Sequence, residues 1–239
     1  MTAGTANIDK REIEKFEAMA AQWWDPDGPC RPLHEINPAR KEFILTHTGP
    51  MRGRRLLDVG CGGGIFTESM AQTGALVTGI DAAEESIQVA RLHAAEQNLS
   101  IDYVHTHAEA FVERHTASFD VVTCLELLEH VPDPCSLIAA CQQLVRPGGW
   151  VFFSTINRTP KAYVKAILGA EYLLKLLPKG THDYEKFIRP YELVKACHQA
   201  QLEPVSAKGL QYNPLTRKAW LDDDISVNYL LAARRPNDA

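Results

Sequence analysis

The sequence predicts an α/β fold: a doubly wound, mostly parallel sheet of seven strands, ending in an antiparallel carboxyl-terminal pair. Three observations carry this. Short apolar runs at 56–59, 75–80, 101–104, 119–124 and 150–154 read as strands buried on both faces. Helical patterns of about ten to fifteen residues separate most of them, which makes neighbouring strands parallel. The turn after the first run, Gly60-Cys61-Gly62-Gly63-Gly64, opens directly into a helix, as in a βαβ unit that holds a nucleotide.

Residues 9–21 have Ile13, Phe16 and Ala20 on one helical face, and Trp23-Trp24 and the turn Asp25-Pro26-Asp27-Gly28-Pro29 follow. A second helix is expected from near Pro38, carrying Arg40, Phe43, Ile44 and His47. Residues 1–48 thus form an amino-terminal helical cap or lid on a main domain at 49–239. Trp23 and Trp24 suit either a lid over the ligand cleft or an aromatic cap on the core. The helix after the glycine turn shows Phe66 and Met70 and is closed by Gly74. The second strand ends in Asp81, about twenty residues past the turn, where a carboxylate grips ribose hydroxyls in such units. A helix at 83–97 has Ile87, Ala90 and Ala94 on one face, and a short one is expected at 109–114. Pro132 and Pro134 set the start of a helix at 135–145, and Arg146-Pro147-Gly148-Gly149 turns into the fifth strand. Segments 204–210 and 227–233 supply the antiparallel pair. Ligands in such sheets sit beyond the carboxyl ends of the strands, so Gly60, Asp81 and Leu125 fall along one edge.

The 239 residues, 45% hydrophobic and 23% charged, suffice for one α/β domain with a real core. A net charge of −5 argues against nucleic acid as a partner, because phosphate neutralisation needs Lys and Arg in excess. The six cysteines form no C-x-x-C pair and several fall in expected core elements, which fits a reduced, cytoplasmic chain. The amino terminus reads as neither a signal nor a transit peptide, and no uncharged apolar run is long enough to span a bilayer.

The glycine spacing discriminates between ligands. A dinucleotide site needs G-x-G-x-x-G, but Ile65 stands at the third position, and no Lys followed by Ser or Thr makes a P-loop. The pattern is G-x-G-x-G, with Asp58 two residues ahead. It resembles motif I of the class I S-adenosylmethionine-dependent methyltransferases, whose fold is Rossmann-like. That resemblance implies S-adenosylmethionine as cofactor, with Gly60, Gly62 and Asp81 around it.

The fourth strand empties into Leu125-Glu126-Leu127-Leu128-Glu129-His130-Val131-Pro132. If this turn is helical, Glu126, Glu129 and His130 share a face and converge. Two carboxylates and an imidazole suit a divalent cation such as Mg or Zn, which lowers the pKa of a bound phenol. Alternatively His130 alone takes the proton as general base. A third reading makes the segment a helix cap or cleft wall.

Further blocks narrow the resemblance. Asp120 to Pro134, Phe152-Phe153-Ser154-Thr155-Ile156-Asn157-Arg158, Gly169-Ala170-Glu171-Tyr172, Leu177-Pro178-Lys179-Gly180-Thr181-His182-Asp183 and Tyr212-Asn213-Pro214 resemble the ubiquinone-biosynthesis O-methyltransferase family. The likeness implies methylation of a hydroxyl on a polyprenylated catechol or demethylubiquinol. It implies cofactor contacts by Arg40, Gly60, Asp81 and Leu125, with Arg40 on the cofactor carboxylate. Some relatives carry Met at Leu125, and Leu can supply the same apolar packing on adenosine. In the mitochondrial branch the likeness also implies metal coordination at Glu126, Glu129 and His130. Competing readings are a methyltransferase for another small phenolic acceptor and a non-catalytic, membrane-associated scaffold for other proteins of the pathway.

The insert at 159–187 places Lys161, Lys165, Lys175 and Lys179 on one side of a helix. Tyr163, Ala166, Ile167, Ala170, Leu173, Leu174 and Leu177 fall on the other, with Pro178 stopping it. Such a helix either lies on anionic membrane lipids, making the protein peripherally membrane-associated, or folds onto the sheet.

Overall fold

The computed structural model describes residues 7–164 and 183–237. Most of the insert expected at 159–187, including Leu173, Leu174 and Leu177, lies outside the described residues. Eight strands form one sheet in the order β3-β2-β1-β4-β5-β8-β6-β7. β1 (Arg55–Val59), β2 (Leu76–Asp81), β3 (Asp102–His105), β4 (Phe119–Leu125) and β5 (Val145–Ile156) run parallel. β8 (Asn228–Arg234) pairs antiparallel to β5, and β6 (Glu203–Asn213) antiparallel to β8.

The eighth strand is one more than the sequence suggested. β7 (Lys218–Asp222) pairs antiparallel to β6 at the sheet edge. It is a half-buried stretch with charged residues at both ends, so it lacks the continuous apolar run that marked the others.

Consecutive residues of a strand point to opposite faces of the sheet. Leu56 and Leu57, Val121 and Val122, and Phe152 and Phe153 are all fully buried, and each pair splits between two apolar layers. One layer is completed by α5 (Ala108–His115), α6 (Pro134–Leu144) and α8 (Pro190–Gln199). The other is completed by α2 (Arg31–Thr48) and α3 (Ile65–Ala71). α4 (Glu84–Glu96) covers β2 and β3, and α7 (Pro160–Ala162) follows β5.

Two boundaries moved. α2 starts at Arg31, not near Pro38. Pro38 has no N–H to give the carbonyl four residues back, but Leu33 and Ile36 pack on the core and carry the helix through it. After β4, only Leu128–His130 is helical, as one 3₁₀ turn. The amino-terminal helix α1 (Lys10–Met19) has no fully buried residue and crosses the carboxyl-end edge of the sheet, where the strands open onto a cavity.

Candidate active site

At the end of β1, Asp58 is buried and accepts hydrogen bonds from Thr67 (2.7 Å) on α3 and Thr123 (2.8 Å) on β4. Burial pushes its carboxyl up to about 6 against the pull of these two hydroxyls and the Arg40 cation. The residue thereby ties three elements together beneath the glycine turn. The turn itself is pinned by Gly60 and Cys61 N–H groups donating to the Ile80 carbonyl, at 2.8 and 3.0 Å.

Asp81 faces this turn from the end of β2. Its Oδ2 accepts from Gly62 N–H and its Oδ1 from Ala83 N–H, both at 2.8 Å. Burial raises its pKa and these backbone donors oppose the rise. Each carboxylate oxygen has a second lone pair, so the group can accept further hydrogen bonds from a ligand hydroxyl.

Gly62 has φ +52°, a left-handed conformation that glycine adopts without strain. A Cβ there would come within 2.6 Å of the Trp23 ring, and one on Gly63 within 2.5 Å of Trp23 Cγ. Trp24 stacks on His93, ring centroids 3.4 Å apart, and its Nε1–H donates to the Gly63 carbonyl at 2.9 Å. The aromatic pair noted in the sequence therefore packs directly on the glycine turn.

Leu125 ends β4 and lines the same cavity as Gly60, Gly62, Asp81 and Arg40. Arg40, on α2, is buried, and its Nη2 lies 3.2 Å from Glu126 Oε1. That is an ion pair without hydrogen-bond alignment, and Arg40 Nε and Nη2 have no hydrogen-bond partner. Buried guanidinium donors left unmet at a cleft suit an incoming carboxylate.

The structure brings Glu126, Glu129 and His130 to one cavity, though not by way of one helical face. Glu126 precedes the 3₁₀ turn and has φ +53°, so it does not share a helical face with the other two. Its Oε1 accepts from Ser154 Oγ at 2.6 Å and its Oε2 from Asn228 Nδ2 at 2.9 Å. Glu129 is buried, and its Oε2 accepts from Thr155 at 2.7 Å. Burial and the Glu126 carboxylate push Glu129 up to about 7. His130 Nδ1–H donates to Glu12 Oε2 on α1 at 2.9 Å. Burial disfavours the charged ring, yet the Glu12 hydrogen bond and the Glu129 charge raise the His130 pKa overall. Among the described residues no three His, Cys, Asp or Glu side chains are grouped to hold a metal ion. Glu126 is engaged by Ser154, Asn228 and Arg40 and His130 Nδ1 by Glu12, so a cation would have to use His130 Nε2 and the second lone pairs of the carboxylates.

Above these groups lies a cavity of about 650 Å³ with a mainly apolar wall, including Ile13, Phe16, Ile36, Ile156, Leu210 and Val227. Tyr212, also at the cavity, donates its hydroxyl to Glu35 of α2, while Asn213 Oδ1 accepts from Leu215 and Thr216 N–H to shape the β6–β7 turn. Sequence reasoning missed Glu12 and Asn228. Each reaches the site from an element distant in the chain, and no local spacing marks either.

A model of the methyltransferase domain matches residues 17–207. Proteins named ubiquinone biosynthesis O-methyltransferase align with almost the whole chain. The one from Aromatoleum aromaticum is 57% identical over 96% of this chain and 97% of its own length. That from Ralstonia nicotianae is 55% identical over 99% of both. The chain belongs to the ubiquinone biosynthesis O-methyltransferase family.

It is therefore an S-adenosylmethionine-dependent O-methyltransferase. Solved structures bear out the fold. A magnesium protoporphyrin IX methyltransferase from Synechocystis, with bound S-adenosylhomocysteine, is 19% identical with a TM-score of 0.69, covering 95% of this chain and all of that one. A possible histamine N-methyltransferase from Thermotoga maritima is 16% identical with a TM-score of 0.65, covering 94% and 99%. No described helix of the O-methyltransferase is long and apolar enough to cross a membrane.

Proposed function

We propose that this O-methyltransferase methylates a ring hydroxyl of a polyprenylated catechol or demethylubiquinol in ubiquinone biosynthesis. One observation carries the reading: the Glu12–His130 pair lines a mainly apolar cavity that also opens onto Gly60 and Asp81. An apolar wall accepts an isoprenoid-bearing ring. The pair meets its hydroxyl.

The cofactor, when bound, supplies an electrophilic sulfonium methyl. Asp81 holds its ribose, Gly60 and Gly62 let it approach the backbone, Leu125 packs on its adenosine, and Arg40 binds its carboxylate. A phenol resembling the Tyr side chain has a pKa near about 10, so it attacks poorly until deprotonated. His130 donates Nδ1–H to Glu12, a tautomer that leaves the lone pair on Nε2 as the base for that proton. No step of this proton transfer is assigned to a metal. Activity abolished by exhaustive chelation and restored by magnesium or zinc would return Glu126, Glu129 and His130 to the ligand role.

Of the amino-terminal segment, the part ahead of α2 acts as the lid: Phe16 and Trp23 line the cavity, and Lys186 Nζ reaches Asp9 at 3.3 Å. The insert at 159–187 docks the protein peripherally on the cytoplasmic face of a membrane, against anionic lipid. Its described start supports this with exposed Tyr163 and Val164 beside Lys161. Polar replacement of Leu173, Leu174 and Leu177 should reduce sedimentation with anionic liposomes and leave cofactor affinity intact.

The deciding experiment incubates methyl-labelled cofactor with a short-chain demethylubiquinol. Label should appear on the acceptor. Retained cofactor binding with no transfer to any catechol or quinol would overturn the reading.

A further inference from the structure

The last strand brings one polar side chain to the cavity that the reaction has not used. β8 runs against β5 and pairs Asn228 with Ile156, so its first residue arrives at the carboxyl-end edge. β5 and β8 lie on the far side of β4 from the glycine turn, which puts Asn228 in the acceptor half of the cavity.

Its orientation is set by Glu126. A carboxylate only accepts hydrogen bonds, so the amide nitrogen of Asn228 faces it, Nδ2 donating to Oε2 at 2.9 Å. Asn228 Oδ1 is then left buried with no hydrogen-bond partner. Of the described side chains lining the cavity, only Arg40, Glu129 and Asn228 carry such unmet atoms. The Arg40 nitrogens are donors and suit the cofactor carboxylate. Asn228 Oδ1 is an acceptor at any pH, and Glu129 Oε1 is one when its carboxyl is ionised. Buried acceptors of this kind are costly unless a ligand brings donors to them.

A ring with two hydroxyls brings two donors. We infer that Asn228 is a specificity-determining residue, whose Oδ1 accepts from the acceptor's spectator hydroxyl while the reacting hydroxyl lies beside Glu129 and His130. The inference rests on the catechol reading above. It explains why Glu126 sits between Arg40 and Asn228: one carboxylate orients a cofactor-binding cation on one side and an acceptor-binding amide on the other.

The test crosses an acceptor change with a side-chain change in the full-length enzyme at saturating cofactor. The acceptors are a soluble short-tailed catechol and its analogue with hydrogen in place of the spectator hydroxyl. Asn228→Ala should lower kcat/KM for the catechol about tenfold, mainly through KM, and leave the monophenol nearly unchanged. Asn228→Ser should fall between, and S-adenosylhomocysteine affinity, read by calorimetry, should hold in both variants as a check on folding. Equal losses on both acceptors, or weakened cofactor affinity in step with activity, would overturn the inference and leave Asn228 as a prop for Glu126. A wild-type enzyme that binds cofactor but methylates neither acceptor would instead overturn the catechol reading, and the inference with it.

Discussion

His130 Nδ1 lies 2.9 Å from Glu12 Oε2, although 118 positions separate them. The contact joins the amino-terminal helix to the cleft and sets the basicity of the imidazole. Glu126 and Glu129 add negative charge from the loop after β4, and Lys15 and Lys186 neutralise Glu12 from its other side.

The pH dependence follows. His130 serves as a base only when neutral, and its pKa is raised above 6.5, so the acid limb of the rate profile should lie above pH 6.5. Glu12→Gln removes the partner charge and should move that limb to lower pH while reducing the plateau rate, since a weaker base remains. An unmoved limb would separate Glu12 from the chemistry.

The same pair controls docking of α1. Burial alone would raise the Glu12 pKa, but hydrogen bonds from His130 and Lys15 hold it down to about 2, so its stabilisation is present above about 4.5 and lost as pH falls toward 2. The His130 contribution is complete below 6.5 and lost as pH rises through its raised value. Limited proteolysis ahead of Ala20 should therefore be slowest between about pH 4.5 and 6.5.

Asp81→Ala should weaken S-adenosylhomocysteine binding by about 1.5–3 kcal/mol, the range for hydrogen bonds to a charged group. Calorimetry measures this directly. Unchanged affinity would remove Asp81 from the ribose.

Gly63→Ala should destabilise the protein by about 1–3 kcal/mol, because the added methyl overlaps Trp23. Urea unfolding gives the loss, and red-shifted tryptophan emission reports the displaced indole. Combined with Trp23→Leu the cost should shrink, since the two positions share one space.

Thr123→Val should cost about 1–3 kcal/mol by leaving the buried Asp58 carboxylate short of a donor. The loss should be larger above pH 6 than below it, where the carboxyl is protonated. Denaturant midpoints on either side of pH 6 check the difference.

Much of this molecule was legible in its sequence. Leu56-Leu57, Val121-Val122 and Phe152-Phe153 announce strands covered on both faces, because no amphipathic strand places two large apolar residues in succession. The glycine turn and Asp81 follow from spacing within a single βαβ unit. The spacing of Glu126, Glu129 and His130 pointed to one cavity but not to how they reach it: Glu126 adopts a left-handed backbone and turns toward β5 and β8 instead of sharing a helical face. Glu12 and Asn228 were invisible for a related reason: their roles arise where α1 and β8 meet a loop at the middle of the chain. A half-buried edge such as β7 leaves only a weak alternation to read.

β8 lies between β5 and β6, so the interior of the sheet waits on the residues through Arg234. A nascent chain halted before Asn228 would present a bare β5 edge and a β6–β7 hairpin with nothing to join, both templates for aberrant pairing with other chains. On the ribosome, then, the nucleotide-binding half can assemble early, but the wall that faces the methyl acceptor closes only when translation has passed Arg234.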